Sequence, residues 1–186
     1  MKFLVVGLGN IGLEYTYTRH NIGFLILDRM ASKYQVTWKT ERYADVTEIK
    51  IKNKKATLIK PSTYMNLSGK AYKYWLDKVG VPIEKSMALV DDVALDFGKI
   101  RIKTNGSAGG HNGLSSIEEE LKSKNYTRLR FGIGNNFPKG SQVNYVLGKW
   151  NDEEVALLPD SMDRAILAIE ESILAGFTNA MNKYNQ

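Results

Sequence analysis

MKFLVVGLGNIGLEYTYTRHNIG, residues 1–23, is the stretch on which the reading of the fold turns. Phe3-Leu4-Val5-Val6 is a short apolar run, β-branched in part, that stops at Gly7 and predicts a buried strand. Gly7, Gly9 and Gly12 follow with the G-x-G-x-x-G spacing of a dinucleotide-binding turn. That fingerprint requires a helix opening at its last glycine, whose N-terminal N–H groups meet a pyrophosphate. Leu13 to Arg19 carry no apolar stripe of helical period. The next helical pattern begins near His20, with Phe24, Leu27, Met30 and Tyr34 on roughly one face. The acid expected about twenty residues on, at the end of a second strand, is missing too, because Asp28 falls inside that helix. A nucleotide-dependent oxidoreductase therefore rests on glycine spacing alone. The same residues put a polar Asn10 in a glycine turn at the carboxyl end of a strand, where open α/β sheets form their sites, with His20 a short loop further on.

Strand and helix patterns alternate along the rest of the chain, which predicts an α/β layered sheet. Residues 44–60 interrupt the alternation. Val46, Ile49 and Ile51, then Ala56 to Ile59, flank Lys52-Asn53-Lys54-Lys55 and read as an antiparallel hairpin, so the sheet should be mixed. A helix carrying Ala71, Tyr72, Trp75, Leu76 and Val79 stops at Gly80. Met87 to Val90 form a buried-type strand ending in Asp91-Asp92, and Lys99 to Lys103 alternate strictly. A glycine-rich loop spans 104–113, a further strand 128–133, and Val143 to Leu147 read as one short strand more. The C-terminus reads as a short helix broken at Pro159, then a longer one through Ile166, Ile169, Ile173 and Phe177. With 186 residues and no repeat or linker, a single domain over 1–186 is expected.

Composition narrows the chemistry. Cysteine is absent, which removes a thiol nucleophile, disulfides and Cys-ligated zinc. Met1 leads straight into a strand with no targeting or membrane segment, so a cytoplasmic location and no membrane partner are expected. The net charge of +6 favours a polyanionic partner. No serine lies in a G-x-S-x-G elbow. The two histidines, His20 and His111, are far apart in sequence and make a poor metal site. His20 with Asp91, at the same edge of the sheet, can act as a general base on water, although a strand-end carboxylate is as readily a solvated cap.

Asn10, Asn21, Asn66 and Asn112 sit in loops, where Asn is a common turn residue. As a set they offer neutral donors and acceptors suited to peptide amides or to a carbonyl oxygen gaining charge. Lys99, Arg101 and Lys103 share one face of a strand, and Arg128 and Arg130 repeat the pattern opposite Leu129 and Phe131. Five cations with no acid among them read as a phosphate track.

Taken in order, four motifs resemble those of the bacterial peptidyl-tRNA hydrolase family along nearly the whole chain. They are Gly7 to Gly12 with Thr18-Arg19-His20-Asn21, Lys60 to Gly69, Asp91-Asp92 with Gly98 to Arg101, and Gly106 to Gly113. Arg128 to Gly134 and Val146-Leu147-Gly148 fit as well. Ile11 stands where the family usually has proline, Val93-Ala94 where Leu-Asp is more usual, and Tyr64 where it often has Phe. The resemblance implies a monomeric α/β fold, a twisted mixed sheet flanked by helices, and hydrolysis of the ester joining a peptide to the terminal ribose of tRNA. It implies His20 as base, Asp91 as its orienting acid, and Asn10 positioning His20 and the tRNA 3′ end. It further implies Asn66 and Asn112 on the peptide backbone, Tyr15, Tyr64 and Met65 along the substrate groove, and Arg101, Lys103 and Arg130 on tRNA phosphates. Neither metal nor organic cofactor is implied. An RNA-binding module that kept the fold and lost the chemistry is the other alternative, against which the presence of His20, Asp91 and the asparagines counts.

Overall fold

In the computed structural model, which describes residues 1–185, the opening apolar run is strand β1, Lys2–Gly7, with Leu4, Val5 and Val6 almost wholly buried. Two single 3₁₀ turns, Leu13–Tyr15 and Arg19–Asn21, lead into helix α1, Ile22–Lys33. Only a single 3₁₀ turn, and no α-helix, opens after Gly12, as its sequence context predicts. Next come β2 (Lys39–Glu41), β3 (Ala44–Ile51), β4 (Lys54–Pro61), α2 (Ser68–Val79) and β5 (Ser86–Asp92). The chain continues through β6 (Ile100–Lys103), α3 (Asn112–Leu121), β7 (Thr127–Gly132), α4 (Gln142–Val146), α5 (Asp152–Ala175) and α6 (Phe177–Tyr184).

The seven strands form one mixed sheet in the order β2-β3-β4-β1-β5-β7-β6. β4, β1, β5 and β7 run parallel, and β2, β3 and β6 are antiparallel to their neighbours. Alternation along β1 sends Val5 to one face, among Ile26, Leu58 and Ile169, and Leu4 and Val6 to the other, among Tyr72, Trp75 and Ile117. Helices α1 and α5 thus close one core and α2 and α3 the other. All four parallel strands end on the same side, which brings the loops after Gly7, Pro61 and Asp92 to one edge.

That edge depends on a close approach of backbone to backbone. A Cβ on Gly23, in the first turn of α1, would lie 2.5 Å from Leu8 N and 2.7 Å from Leu8 O and Leu89 O. One on Gly7 would run into the Gly23 carbonyl. Only hydrogen at both positions lets α1 start against the ends of β1 and β5.

Several expectations need correction. Val143 to Leu147 lie in and just beyond α4, not in a strand. Val143, Val146 and Leu147 then share a face at i, i+3 and i+4, a helical spacing that a five-residue window of β-formers hides. Pro159 does not break the C-terminal helix, because α5 passes through it. Pro159 and Val155 are both exposed, so the Val155 carbonyl that loses its intrahelical partner faces water. A capping box at Asn151 and Glu154 and the buried Leu158, Ile166, Ile169 and Ile173 hold the helix on either side. The long helix ends at Ala175, before Phe177, where Gly176 at φ 95° turns the chain into α6. The three-residue β2 carries no sequence pattern of its own.

Two of the five cations expected on a phosphate track are otherwise engaged. Arg128 is fully buried and donates to the Gly106, Lys124 and Tyr126 carbonyls at 2.7, 2.9 and 3.1 Å, bracing the glycine-rich loop from beneath. Lys99 lies before β6 and pairs with Asp96 at 2.8 Å. Arg101 and Lys103 remain exposed, with Arg101 registered beside Arg130.

Substituting Gly23 by Ala should destabilise the fold by roughly 1–3 kcal/mol, the usual cost of forcing extra volume into close packing. A lower urea midpoint at unchanged slope is the expected reading.

Candidate active site

Two asparagines build the floor of the site. Asn21, the last residue of the second 3₁₀ turn, accepts from Asn10 N at 2.8 Å and donates to Asn10 O at 2.9 Å. This reciprocal pair fixes the glycine turn after β1 to the start of α1. The Asn10 carboxamide oxygen in turn accepts from Met65 N at 2.8 Å, tying in the loop after β4. Its NH₂ is left as the free end, so Asn10 faces the site as a donor.

Asp91, the penultimate residue of β5, is buried and receives two imidazoles. His20 Nδ1 lies 2.8 and 3.0 Å from its two oxygens, and His111 Nε2 lies 2.9 Å from Oδ1. Burial pushes the Asp91 carboxyl up. Attraction to His111 and His20, and their hydrogen bonds, override it and hold the group well below the usual carboxylate range. An ionised carboxylate only accepts, so both facing ring nitrogens carry protons.

The tautomers follow. His111 caps α3, and its Nδ1 accepts from Gly113 N at 3.1 Å and Leu114 N at 3.3 Å. The His111 proton facing Asp91 therefore sits on Nε2, with Nδ1 turned to the α3 backbone. His20 has its proton on Nδ1, and its Nε2 is the free nitrogen, in a ring that lines a cavity at this edge of the sheet. The two rings sit 5.0 Å apart between centroids.

That cavity has a volume of about 500 Å³. Of the residues expected at the site, Asn10, His20, Met65, Asn66, Asp91, Asn112 and Arg130 all line it. Arg130 is anchored to Ser107 O at 3.0 Å and lies 3.4 Å from Asp92. Tyr15 and Tyr64 do not line the cavity, and neither do Arg101 and Lys103. Tyr64 is 55% exposed beside Met65, Tyr15 is half-buried, and the two cations stand exposed on β6. Sequence reasoning missed the contact of His111 with Asp91 and the far wall made by Gln142, Val143, Val146 and Leu147. The helical spacing of those residues was the available signal.

Separation in sequence is no objection to a shared metal once the chain is folded, since ligand atoms of His20, Asp91 and His111 lie within 4.8 Å of one another. The nitrogens facing Asp91 are, however, already its hydrogen-bond donors, and His111 Nδ1 is taken by the α3 backbone. A metal would have to displace those bonds, so the donor set does not fit one.

An oriented imidazole–carboxylate pair, with its free nitrogen opening on an amide-lined cavity at the carboxyl edge of an α/β sheet, defines a hydrolase-type centre that can take a proton from water. The family model described as Peptidyl-tRNA hydrolase matches residues 4–186. The chain is 49% identical over 185 residues to the peptidyl-tRNA hydrolase of Cytophaga hutchinsonii, covering 100% of this chain and 98% of the relative. It is 50% identical over 186 residues to that of Azobacteroides pseudotrichonymphae, with 100% of each covered. The crystal structure of peptidyl-tRNA hydrolase from Acinetobacter baumannii matches with a TM-score of 0.91 at 34% identity, over 98% of this chain and 94% of that one. The chain belongs to the peptidyl-tRNA hydrolase family.

Replacing His111 by Ala should remove both a donor to the buried Asp91 and the cap of α3, costing about 1–3 kcal/mol. The sign with pH is fixed by the depressed Asp91 pKa. Its stabilisation is complete above the unfolded-state value of about 3.9 and fades as pH falls through the lower folded value. The stability gap between parent and variant should be widest near neutrality and narrow below about pH 4 in urea titrations.

Proposed function

We infer that this chain hydrolyses the ester between the C-terminal carboxyl of a peptide and the 3′-terminal ribose of tRNA, freeing the tRNA for reuse. The observation that carries the reading is the His20–Asp91 pair, with His20 Nε2 free toward the cavity, in a chain about half identical to relatives bearing that name. His20 Nε2 takes a proton from water as its oxygen attacks the ester carbonyl. The bond to the ribose oxygen then breaks, and that oxygen leaves with the proton returned by the imidazolium. Asp91 keeps the proton of His20 on Nδ1 and offsets the charge gained during attack. Asn10 positions His20 and the 3′ end, and its free NH₂ can donate to the carbonyl oxygen as charge develops there. No metal or organic cofactor enters the reaction.

Substrate contacts complete the proposal. Asn66 and Asn112 pair with the peptide backbone, while Met65, Tyr64 and Tyr15 border the groove. Arg130, Arg101 and Lys103 take tRNA phosphates along a line from the cavity wall to the β6 edge. The working unit is a monomer formed by the whole chain as one domain, acting in the cytoplasm. No helix among the described residues is long and apolar enough to cross a membrane.

Release of tRNA from N-acetyl-aminoacyl-tRNA tests the reading, and absence of release from folded protein would overturn it. His20→Ala should lower turnover at least about a hundredfold with tRNA binding intact. Asp91→Asn, which removes the charge while keeping the shape, should cost up to about ten-thousandfold. Selectivity offers a separate check. A peptidyl group presents a neutral amide where an aminoacyl group presents an ammonium, and the carboxamides of Asn66 and Asn112 carry no counter-charge for it. Asn66→Ala and Asn112→Ala should therefore lose activity on the N-acetylated substrate far more than on the unblocked one, narrowing a preference of about a hundredfold.

A further inference from the structure

Three lysines on adjacent strands stand directly opposite one another, far from the catalytic edge. Lys50 of β3 is registered on Lys55 of β4, and Lys55 on Lys2 of β1. All three are exposed. By alternation they share the sheet face of Leu4, Val46 and Ile59, the face that α2 covers further along. The row lies at the amino ends of β1 and β4, about 17 Å along β1 from Gly7 at ~3.3 Å per residue.

Fold stability does not account for this arrangement. Like charges directly opposite on paired strands are destabilising. No ion pair among the described residues involves Lys2, Lys50 or Lys55. Lysines on open edges deter sheet-to-sheet association. That can explain Lys50, because β2 pairs only with Ala44 to Val46 and leaves the outer edge of β3 open beyond them. It can extend to Lys2, which pairs with Lys55 but lies before Leu4, where the pairing with β5 begins. It does not explain Lys55, which is paired on both sides. Their neighbour Lys54 is put to structural use, donating to the Ile173 and Leu174 carbonyls at 2.9 Å each.

The row adjoins a groove of about 590 Å³ between the end of α2 and the sheet, lined among others by Lys2, Lys39, Glu48, Trp75 and Lys78. Of its two acids, Glu41 is paired with Lys78, which leaves Glu48 alone against Lys2 and Lys39. Its aromatic ring is unavailable for stacking bases, since Trp75 is only 3% exposed and lies beneath the Lys78 ammonium. A surface with closely set cations and no stacking platform reads phosphates rather than bases.

We propose that Lys2, Lys50 and Lys55, with the adjoining groove, form a second nucleic-acid surface that grips the phosphate backbone of double-stranded RNA, separate from the catalytic edge. The choice of RNA over DNA rests on the proposed function, which already places this chain among RNA substrates. Contact is through backbone charge, independent of sequence, and occupies the end of the sheet opposite the cavity. A long structured RNA can therefore hold the protein without blocking hydrolysis.

The test is a salt titration of a fluorescent RNA hairpin against the Arg101→Ala/Lys103→Ala protein, with and without the further changes Lys2→Ala, Lys50→Ala and Lys55→Ala. Loss of three phosphate contacts should lower the slope of log K against log salt by about 2.7. In the otherwise unaltered chain, the three lysine changes should leave release of tRNA from N-acetyl-aminoacyl-tRNA at the parent rate and should not lower the melting temperature. An unchanged slope would overturn the proposal. So would a parallel loss of hydrolysis, which would make the row part of the substrate track. Binding to vesicles of anionic phospholipid in place of the hairpin would overturn it in favour of a membrane surface. Failure of the unaltered chain to hydrolyse its substrate would refute the proposed function instead, and the hairpin titration would still read the lysine row.

Discussion

A single buried carboxylate holds the catalytic edge together. Asp91 is removed from water at the end of a central strand, a position that would be untenable for an isolated charge. Two imidazole N–H groups make it tenable, and each belongs to a different part of the chain. One ring comes from the turn before α1 and the other from the cap of α3. The charge thus sets both tautomers at once and joins elements separated by 71 and 20 residues in sequence.

The histidines are not equivalent, although the carboxylate treats them alike. His111 has both nitrogens committed, one to Asp91 and one to the first turn of α3. It stabilises the acid and the placement of Asn112, and has no nitrogen left for substrate. His20 is committed on one side only. The difference arises from their neighbours, since backbone N–H groups lie behind one ring and open cavity in front of the other.

Arginines show the same dependence on surroundings. Arg128 and Arg130 are two residues apart on one strand face, yet one is sealed under the glycine-rich loop and the other lines the cavity. Both grip that loop, at the Gly106 and Ser107 carbonyls, so the segment carrying His111 and Asn112 is held from below and from the side. These bonds act together with Gly106, Gly109 and Gly110, all at positive φ, to set the shape of the loop.

Sequence by itself determined what is local and periodic. Short apolar runs marked β1 and β5, alternation marked β6 and β7, and periodic apolar stripes marked the main helices, because burial of a face imposes a period on the chain that folds it. It also pointed to several polar residues of the cavity lining, since Asn10, His20, Asp91 and Asn112 each sit in a turn or strand end whose chemistry is visible in a few residues. Tertiary structure alone decided what depends on distance through space. That His111 reaches Asp91, that Arg128 faces inward, that α4 rather than a strand closes the cavity, and that α5 runs through Pro159 all turn on packing between segments far apart in sequence. Short windows carry too little periodicity to fix such outcomes. Burial and partner geometry, which fix them, exist only once the sheet has brought those segments together.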